Sequence, residues 1–383
     1  NFGTRENLKE LFMKFSQTVK RIDASGVRKM FEMAKSLRNP IDVSLGSPLN
    51  PIPRNVVDRA VDHIHLDAPG YTVTKGDEDV RRALAQKLKT KNHITVDPSD
   101  IIITVGATGG LCLALWTLLD PDDEIIVVDP YFVLYKQQID FIGAKGVYVS
   151  SYPDFRLPVD AIRDAVTAKT KAILINTPNN PSGVVYTGDE LRALAEIAGA
   201  HDVVIISDEV YEEYVYDDRP HVSIGAFYPR TVTIMSPSKT ASLAGWRVGY
   251  VSAPQDIIEQ MVKVQQVFYV CAPVPAQHAL KASLTKDYTF LRKQFVRKRN
   301  AIHENLRQTS LLSYDLQGAF YAFLDVGDEK GLITKALEKK LLLVPGSTFS
   351  TKETHVRLAY SVPDGSLQNA LKIIHEIGSQ RPV

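Results

Sequence analysis

Lys171-Ala-Ile-Leu-Ile-Asn-Thr-Pro-Asn-Asn-Pro-Ser-Gly183 is the stretch that decides the fold class. Its first five residues form a short, nearly continuous apolar run, as in a strand buried on both faces. Two Asn-Pro-type turns then follow within eight residues, stiffening the loop and projecting side-chain amides from the strand's end. Working outward, runs of the same kind recur at 101–105, 124–128, 202–206 and 231–235. Helical patterns lie between several of them, and Thr187 with Glu190 gives one a capping-box start. Alternating strands and helices predict an α/β fold with a mainly parallel sheet.

At 383 residues the chain exceeds one hydrophobic core of ordinary size, so two domains are expected. Leu8, Leu11, Phe12, Phe15 and Val19 make a helical stripe over 4–20. Ser25 is placed to cap a second helix with Val27, Met30, Phe31, Ala34 and Leu37 inward. The proline-rich loop Gly46–Pro53 then enters a new unit. Beyond residue 277 come a long charged helix, strands near 318–326 and 355–362, and a final helix at 366–378. The expected division is a large domain over 47–276. A smaller α+β domain is formed by both chain ends, 1–46 with 277–383.

A composition of 44% hydrophobic and 23% charged residues is that of a globular enzyme, not a disordered or fibrous chain. Formal net charge is +1 with no long basic run, which argues against nucleic-acid binding. Cys112 and Cys271 sit in apolar stretches without metal-type spacing, so a reducing, cytoplasmic setting and no metal site are expected. No apolar run reaches membrane-spanning length. Starting at Asn1 and not at a methionine, the chain reads as trimmed.

In an open parallel sheet, ligands bind beyond the carboxyl ends of the strands. After 101–105 comes Gly106-Ala107-Thr108-Gly109-Gly110 and then a helix-like Leu111–Leu119, a turn that offers backbone N–H groups to a phosphate. Most such turns are only turns, and this one is not the dinucleotide fingerprint. After 124–128 come Phe132 and Tyr135, which could stack on a flat ring or simply fill the core. Asn176–Gly183 follows the third strand. Asp208 and Tyr211 follow 202–206, where a solvated acidic cluster with Glu209, Glu212 and Glu213 is the plainer local reading. Ser236-Pro-Ser-Lys239 and then Arg247 follow 231–235; a lone lysine is usually a surface lysine, but this one has hydroxyls and an arginine around it.

Together these ends supply a lysine, an acid, a phenol, an amide, a phosphate cradle and an aromatic plate. Pyridoxal 5'-phosphate requires that set. Its aldehyde needs an amine for a Schiff base, and its pyridine nitrogen an acid that keeps it protonated. Its ring oxygen needs donors and its phosphate needs arginine and N–H groups.

From about residue 21 to its end the chain resembles the class I/II aminotransferases of fold type I. Asn176–Gly183 is similar to the family's N-x-P-x-N-P-[ST]-G loop, and Asp208 with Tyr211 to its D-x-x-Y. Ser236–Lys239 with Arg247 is similar to S-x-S-K and the arginine of G-x-R-x-G-Y. The resemblance implies that Lys239 forms the Schiff base and shuttles the proton, and that Asp208 pairs with the pyridinium nitrogen. Asn180 and Tyr211 would bond the ring oxygen and Phe132 would stack. Gly106, Ala107, Thr108, Ser236, Ser238 and Arg247 would take the phosphate. Tyr71 would reach the cofactor of a neighbouring subunit, implying a homodimer with shared sites. Arg357, with Gly46 and Asn180 beside it, would hold the substrate carboxylate.

One departure is Gly46–Pro53, where Leu49 and Asn50 replace the family's acid and aromatic. The implied reaction is ping-pong transfer of an amino group between an L-amino acid and a 2-oxo acid. Alternatives are a carbon–sulfur lyase or another pyridoxal enzyme of the same fold, a ligand-sensing regulator, and a nucleotide-dependent oxidoreductase. Thr108 stands where some relatives carry a lysine for a distal carboxylate. A neutral or aromatic donor is therefore expected, unless Lys14 or Arg21 supplies the charge.

Overall fold

Each of the five apolar runs is a strand with buried side chains facing both ways. The computed structural model describes residues 15–22, 37–47, 50–66, 70–307 and 309–378. Its strands are β1 (Ile41–Asp42), β2 (Ile101–Thr104), β3 (Glu124–Asp129), β4 (Lys145–Ser150), β5 (Thr170–Asn176) and β6 (Val204–Asp208). They continue as β7 (Thr231–Met235), β8 (Gly249–Ser252), β9 (Tyr321–Asp325), β10 (Leu341–Leu342), β11 (Val344–Pro345) and β12 (His355–Ala359). The large sheet has the order β2-β8-β7-β6-β5-β3-β4.

Its two faces explain why the runs are apolar throughout. Ile125 and Val127 of β3 pack with Leu111, Leu115, Ile258 and Met261 from the helices Gly106–Leu118 and Gln255–Phe268. Ile126 and Val128, their neighbours in sequence, pack with Leu191 and Leu194 of Gly188–Ala200. Successive strand side chains point to opposite faces, so helices on both sides leave no polar alternation to read. Gly188–Ala200 starts at the predicted capping box, with Thr187 and Glu190 each accepting from the other's backbone N–H.

The seven strands are not all parallel. β8 pairs antiparallel with both β2 and β7, while β3, β4, β5, β6 and β7 pair in parallel. Two reversals cancel, so β2 points the same way as β7 and β8 alone runs backwards. The start of β8, which comes just after Arg247, therefore lies at the edge where the other strands end.

A second, antiparallel sheet has the order β11-β12-β9, with Arg357 of β12 opposite Phe323 of β9 and Val344 of β11. β1 pairs in parallel with β10, Ile41 against Leu341, which ties a segment from near the start of the chain to one from near its end. The helix Asp364–Gly378 lies against Thr289–Leu306.

Several sequence expectations shift. The glycine-rich stretch is not a turn before a helix; Gly106 already opens the helix Gly106–Leu118. The run at 202–206 becomes Val204–Asp208, so Asp208 closes the strand itself, and the last helix starts at Asp364. The helix expected after Ser25, most of the 4–20 stripe and Leu49 lie outside the described residues. What is described of the first stripe, Gln17–Lys20, touches Val133–Ile142, and the Arg21 guanidinium lies near Gly143 at that helix's C-terminal end.

Candidate active site

The ends of β2, β3, β5, β6 and β7 surround a cavity of about 340 Å³. Gly46, Ala107, Thr108, Phe132, Asn180, Asp208, Tyr211, Ser236, Ser238, Lys239, Arg247 and Arg357 all line it. Of the residues singled out in the sequence, Gly106 abuts the rim. Tyr71 stands apart, 83% exposed and outside the cavity.

Lys239 follows β7 and donates from Nζ to the Gly46 carbonyl at 2.8 Å. Asp208 is buried one strand away. Its Oδ2 accepts from Tyr135 at 2.7 Å and its Oδ1 from the Val210 N–H at 3.3 Å. Burial destabilises the ionised carboxylate and outweighs those two bonds, so the Asp208 pKa is pushed up to about 6. The nearby Lys239 opposes the rise, acting after Tyr135 and Val210. Asn176, the last residue of β5, fixes the loop beyond it: Nδ2 donates to the Asp208 carbonyl at 2.9 Å and Oδ1 accepts from the Asn180 N–H at 2.8 Å.

Arg357 is 2% exposed. Nη1 donates to Asn180 Oδ1 at 3.0 Å and Nη2 to the Ser44 carbonyl at 2.6 Å, while Nε has no partner among the described residues. The guanidinium lies between the rings of Tyr321 and Phe349, 4.6 and 4.4 Å from their centroids. Among the described residues no carboxylate pairs with it. Burial lowers its pKa from the ordinary arginine value. A buried cation without a counter-ion is costly unless a ligand brings the anion.

At the opposite wall the helix Gly106–Leu118 has no side-chain cap, so its first N–H groups stay available at the positive end of the helix dipole. Ser236 and Ser238 hydroxyls sit 2.7 Å apart. Gly106 has a φ of +70°, and a Cβ there would come within 2.5 Å of Arg247 Nη2. Only glycine lets the guanidinium close on the helix start. This donor set, two hydroxyls, an arginine and a free helix N-terminus, fits a phosphate. Lysine, buried acid and phenol fit the reactive ring of pyridoxal phosphate.

Sequence reasoning named Tyr135 only as a stacking or core aromatic, not as a partner of Asp208, and gave no role of their own to Asn176 and Tyr321. Tyr135 follows Phe132 by three positions, one helical turn, and that spacing was a usable signal. Asn176 stood inside the Lys171–Gly183 stretch. Tyr321 had no signal, because only the pairing of β9 with β12 brings it to Arg357. Among the described residues no cluster of His, Cys, Asp and Glu could hold a metal ion, and no helix is long and apolar enough to cross a membrane.

Residues 38–374 match the sequence profile of the family described as aminotransferase class I and II. The chain is 33% identical to an aspartate aminotransferase of Pyrococcus abyssi, over 95% of this chain and 98% of that one. The same figures hold for aromatic-amino-acid aminotransferase 2 of Thermococcus litoralis. The fold superposes on the aspartate aminotransferase of Thermus thermophilus with maleate at a TM-score of 0.92. Identity is 31%, covering 96% of this chain and all of that one.

Proposed function

The chain belongs to the class I and II aminotransferases, and on that premise we propose which residues hold its cofactor and substrate and which donor it takes. It is a pyridoxal-phosphate-dependent aminotransferase that moves an amino group between an L-amino acid and a 2-oxo acid by a ping-pong mechanism. When bound, pyridoxal phosphate supplies an aldehyde for amines and a ring that accepts electrons from the substrate's α-carbon. Lys239 is the attachment point, and its freed Nζ moves the α-proton as general base and then acid. Asp208 holds the proton at the pyridine nitrogen. Tyr211 and the Asn180 amide donate to the ring oxygen, Asn180 Oδ1 being engaged by Arg357. Phe132 stacks on the ring. Ala107, Thr108, Ser236, Ser238 and Arg247 bind the phosphate at the rim beside Gly106. Arg357 grips the substrate carboxylate next to Gly46; its burial without an anion is the observation that carries this reading.

The donor has a neutral or aromatic side chain. The cations lining the described cavity are Lys239, Arg247 and Arg357, each already given a role. Thr108 is uncharged, Arg21 lies near Gly143 and not at the cavity, and Lys14 is outside the described residues. Names of relatives point both ways, to aspartate and to aromatic amino acids. Comparing kcat/KM for aspartate, alanine, phenylalanine and leucine at one pH decides it. An aspartate value more than about tenfold above the rest, about 1.4 kcal/mol of transition-state preference, rules this donor class out.

The enzyme works as a homodimer in which Tyr71 enters the partner's site. Tyr71 is exposed together with Val73, Val267, Phe268 and Val270. Gln265 Nε2 ties its segment down by donating to the Thr74 carbonyl at 2.6 Å. A patch of that kind on a monomer is an interface signal. The pairing of β1 with β10 supports a small domain made from 1–46 and 277–383 beside a large one at 47–276. Two unpaired cysteines support a cytoplasmic location.

A further inference from the structure

Tyr321 lies on β9, 110 residues from Tyr211, and its hydroxyl is 2.9 Å from the Tyr211 hydroxyl. The two rings are perpendicular, both are buried, and neither hydroxyl has another hydrogen-bond partner among the described residues. One proton therefore lies between the two oxygens, and its direction decides where the second one goes. Two observations set that direction. A Cβ on Gly46 would come 1.9 Å from the Tyr321 oxygen, so the Gly46 backbone packs closely against that hydroxyl and leaves no room for a side chain there. If Tyr211 donated to Tyr321, its proton would be withdrawn from the ring oxygen assigned to it and the Tyr321 proton would have no acceptor among the described residues, a costly arrangement for a buried O–H. Charge points the same way. Arg357 lies against the Tyr321 ring and is felt there more than at Tyr211, where the Asp208 carboxylate also opposes it. The cation lying on its ring makes Tyr321 the better donor of the two, and the anion that offsets the same cation at Tyr211 leaves Tyr211 the better acceptor.

We propose that Tyr321 is a positioning residue that donates to Tyr211, aims the Tyr211 proton into the cavity, and with its ring face holds Arg357 for the substrate carboxylate. One side chain thus links the phenol assigned to the cofactor's ring oxygen with the arginine assigned to the substrate. The role rests on those two assignments. Tyr321 need touch neither ligand. Donation from Tyr321 polarises the Tyr211 O–H and strengthens its own donation, as in any hydrogen-bond chain. The hydroxyl therefore serves the cofactor side and the ring serves the substrate side, and different variants separate the two.

The test uses holoenzyme: wild type, Tyr321→Phe, Tyr211→Phe, the double variant and Tyr321→Leu. Visible absorbance of the lysine-bound cofactor is titrated with pH, and KM and kcat for one amino acid are measured alongside. Tyr321→Phe keeps the ring and removes one oxygen. Its absorbance midpoint rises by about half a pH unit, roughly a threefold change in proton affinity, because the ring oxygen has lost part of a donor that favoured its charged form. KM changes less than about twofold, since the ring still faces Arg357. In the Tyr211→Phe background the same substitution moves the midpoint by less than about 0.2 unit, the non-additivity expected of one chain. Tyr321→Leu, which loses the ring too, raises KM about tenfold or more. An unchanged midpoint in Tyr321→Phe, or an equal shift in both backgrounds, overturns the proposal. A wild type without any visible lysine-bound chromophore overturns the cofactor assignment itself, a different and separately recognisable result.

Discussion

Replacing Asp208 by Asn tests the electrostatics of the site without touching substrate. Asp208 ionises near pH 3.8 in an unfolded chain and near about 6 in the folded one, with burial the main cause. An acid whose pKa rises on folding binds more protons in the native state. Stability is therefore full below pH 3.8 and is lost as pH rises through about 6. The cofactor-free wild type is penalised by roughly 2 kcal/mol at pH 5 and roughly 3 kcal/mol at pH 7.5. Asn keeps an oxygen for the Val210 N–H, presents its amide NH2 to the Tyr135 hydroxyl oxygen, and carries no charge at either pH. Urea unfolding of the cofactor-free pair at both pH values gives the difference directly. The Asn variant should gain on the wild type by roughly 1 kcal/mol between pH 5 and 7.5, while binding pyridoxal phosphate more weakly at both. A stability difference that stays flat or shrinks as pH rises refutes the reasoning, since the carboxylate would then not be penalised by its burial. Tighter cofactor binding by the Asn variant would refute the pairing with the pyridine nitrogen.

Lys239→Ala should fold, bind cofactor without a covalent link and have no measurable transamination; a borohydride-reducible lysine adduct persisting in this variant removes Lys239 from its role. Arg357→Ala should raise KM for amino and oxo acids about ten- to a hundredfold, from the roughly 1.5–3 kcal/mol of charge-assisted hydrogen bonds, with cofactor affinity nearly unchanged. A loss of cofactor affinity without a KM effect places Arg357 elsewhere. Mixed dimers of inactive Tyr71→Phe and Lys239→Ala protomers should recover up to about a quarter of wild-type activity if each site draws Tyr71 from one subunit and Lys239 from the other. No recovery on mixing and refolding means the site is complete in one chain.

Local sequence determined more of this protein than its assembly would suggest. Apolar runs without polar alternation signalled a sheet covered on both faces, because a strand packed twice has no wet side to show. The residue after each run was a sound guide to the cavity, since strands that end at one edge deliver their succeeding residues to one place. Asn180, Asp208 and Lys239 were legible for that reason. The Thr187–Glu190 cap was legible because it is a contact within four residues. The features that the tertiary structure alone decided are non-local. β8 runs against its neighbours, and only that reversal brings Arg247 from before the strand to the edge where the other strands end. Arg357 reaches Asn180 across 177 residues, and Tyr321 reaches Tyr211 across 110, through a second sheet whose pairing no periodicity announces. Burial of Asp208, and with it the raised pKa, is a property of everything packed around it. Side-chain periodicity records which way a residue faces, whereas which partner it meets depends on strand order and crossing, and those are set by the whole chain at once.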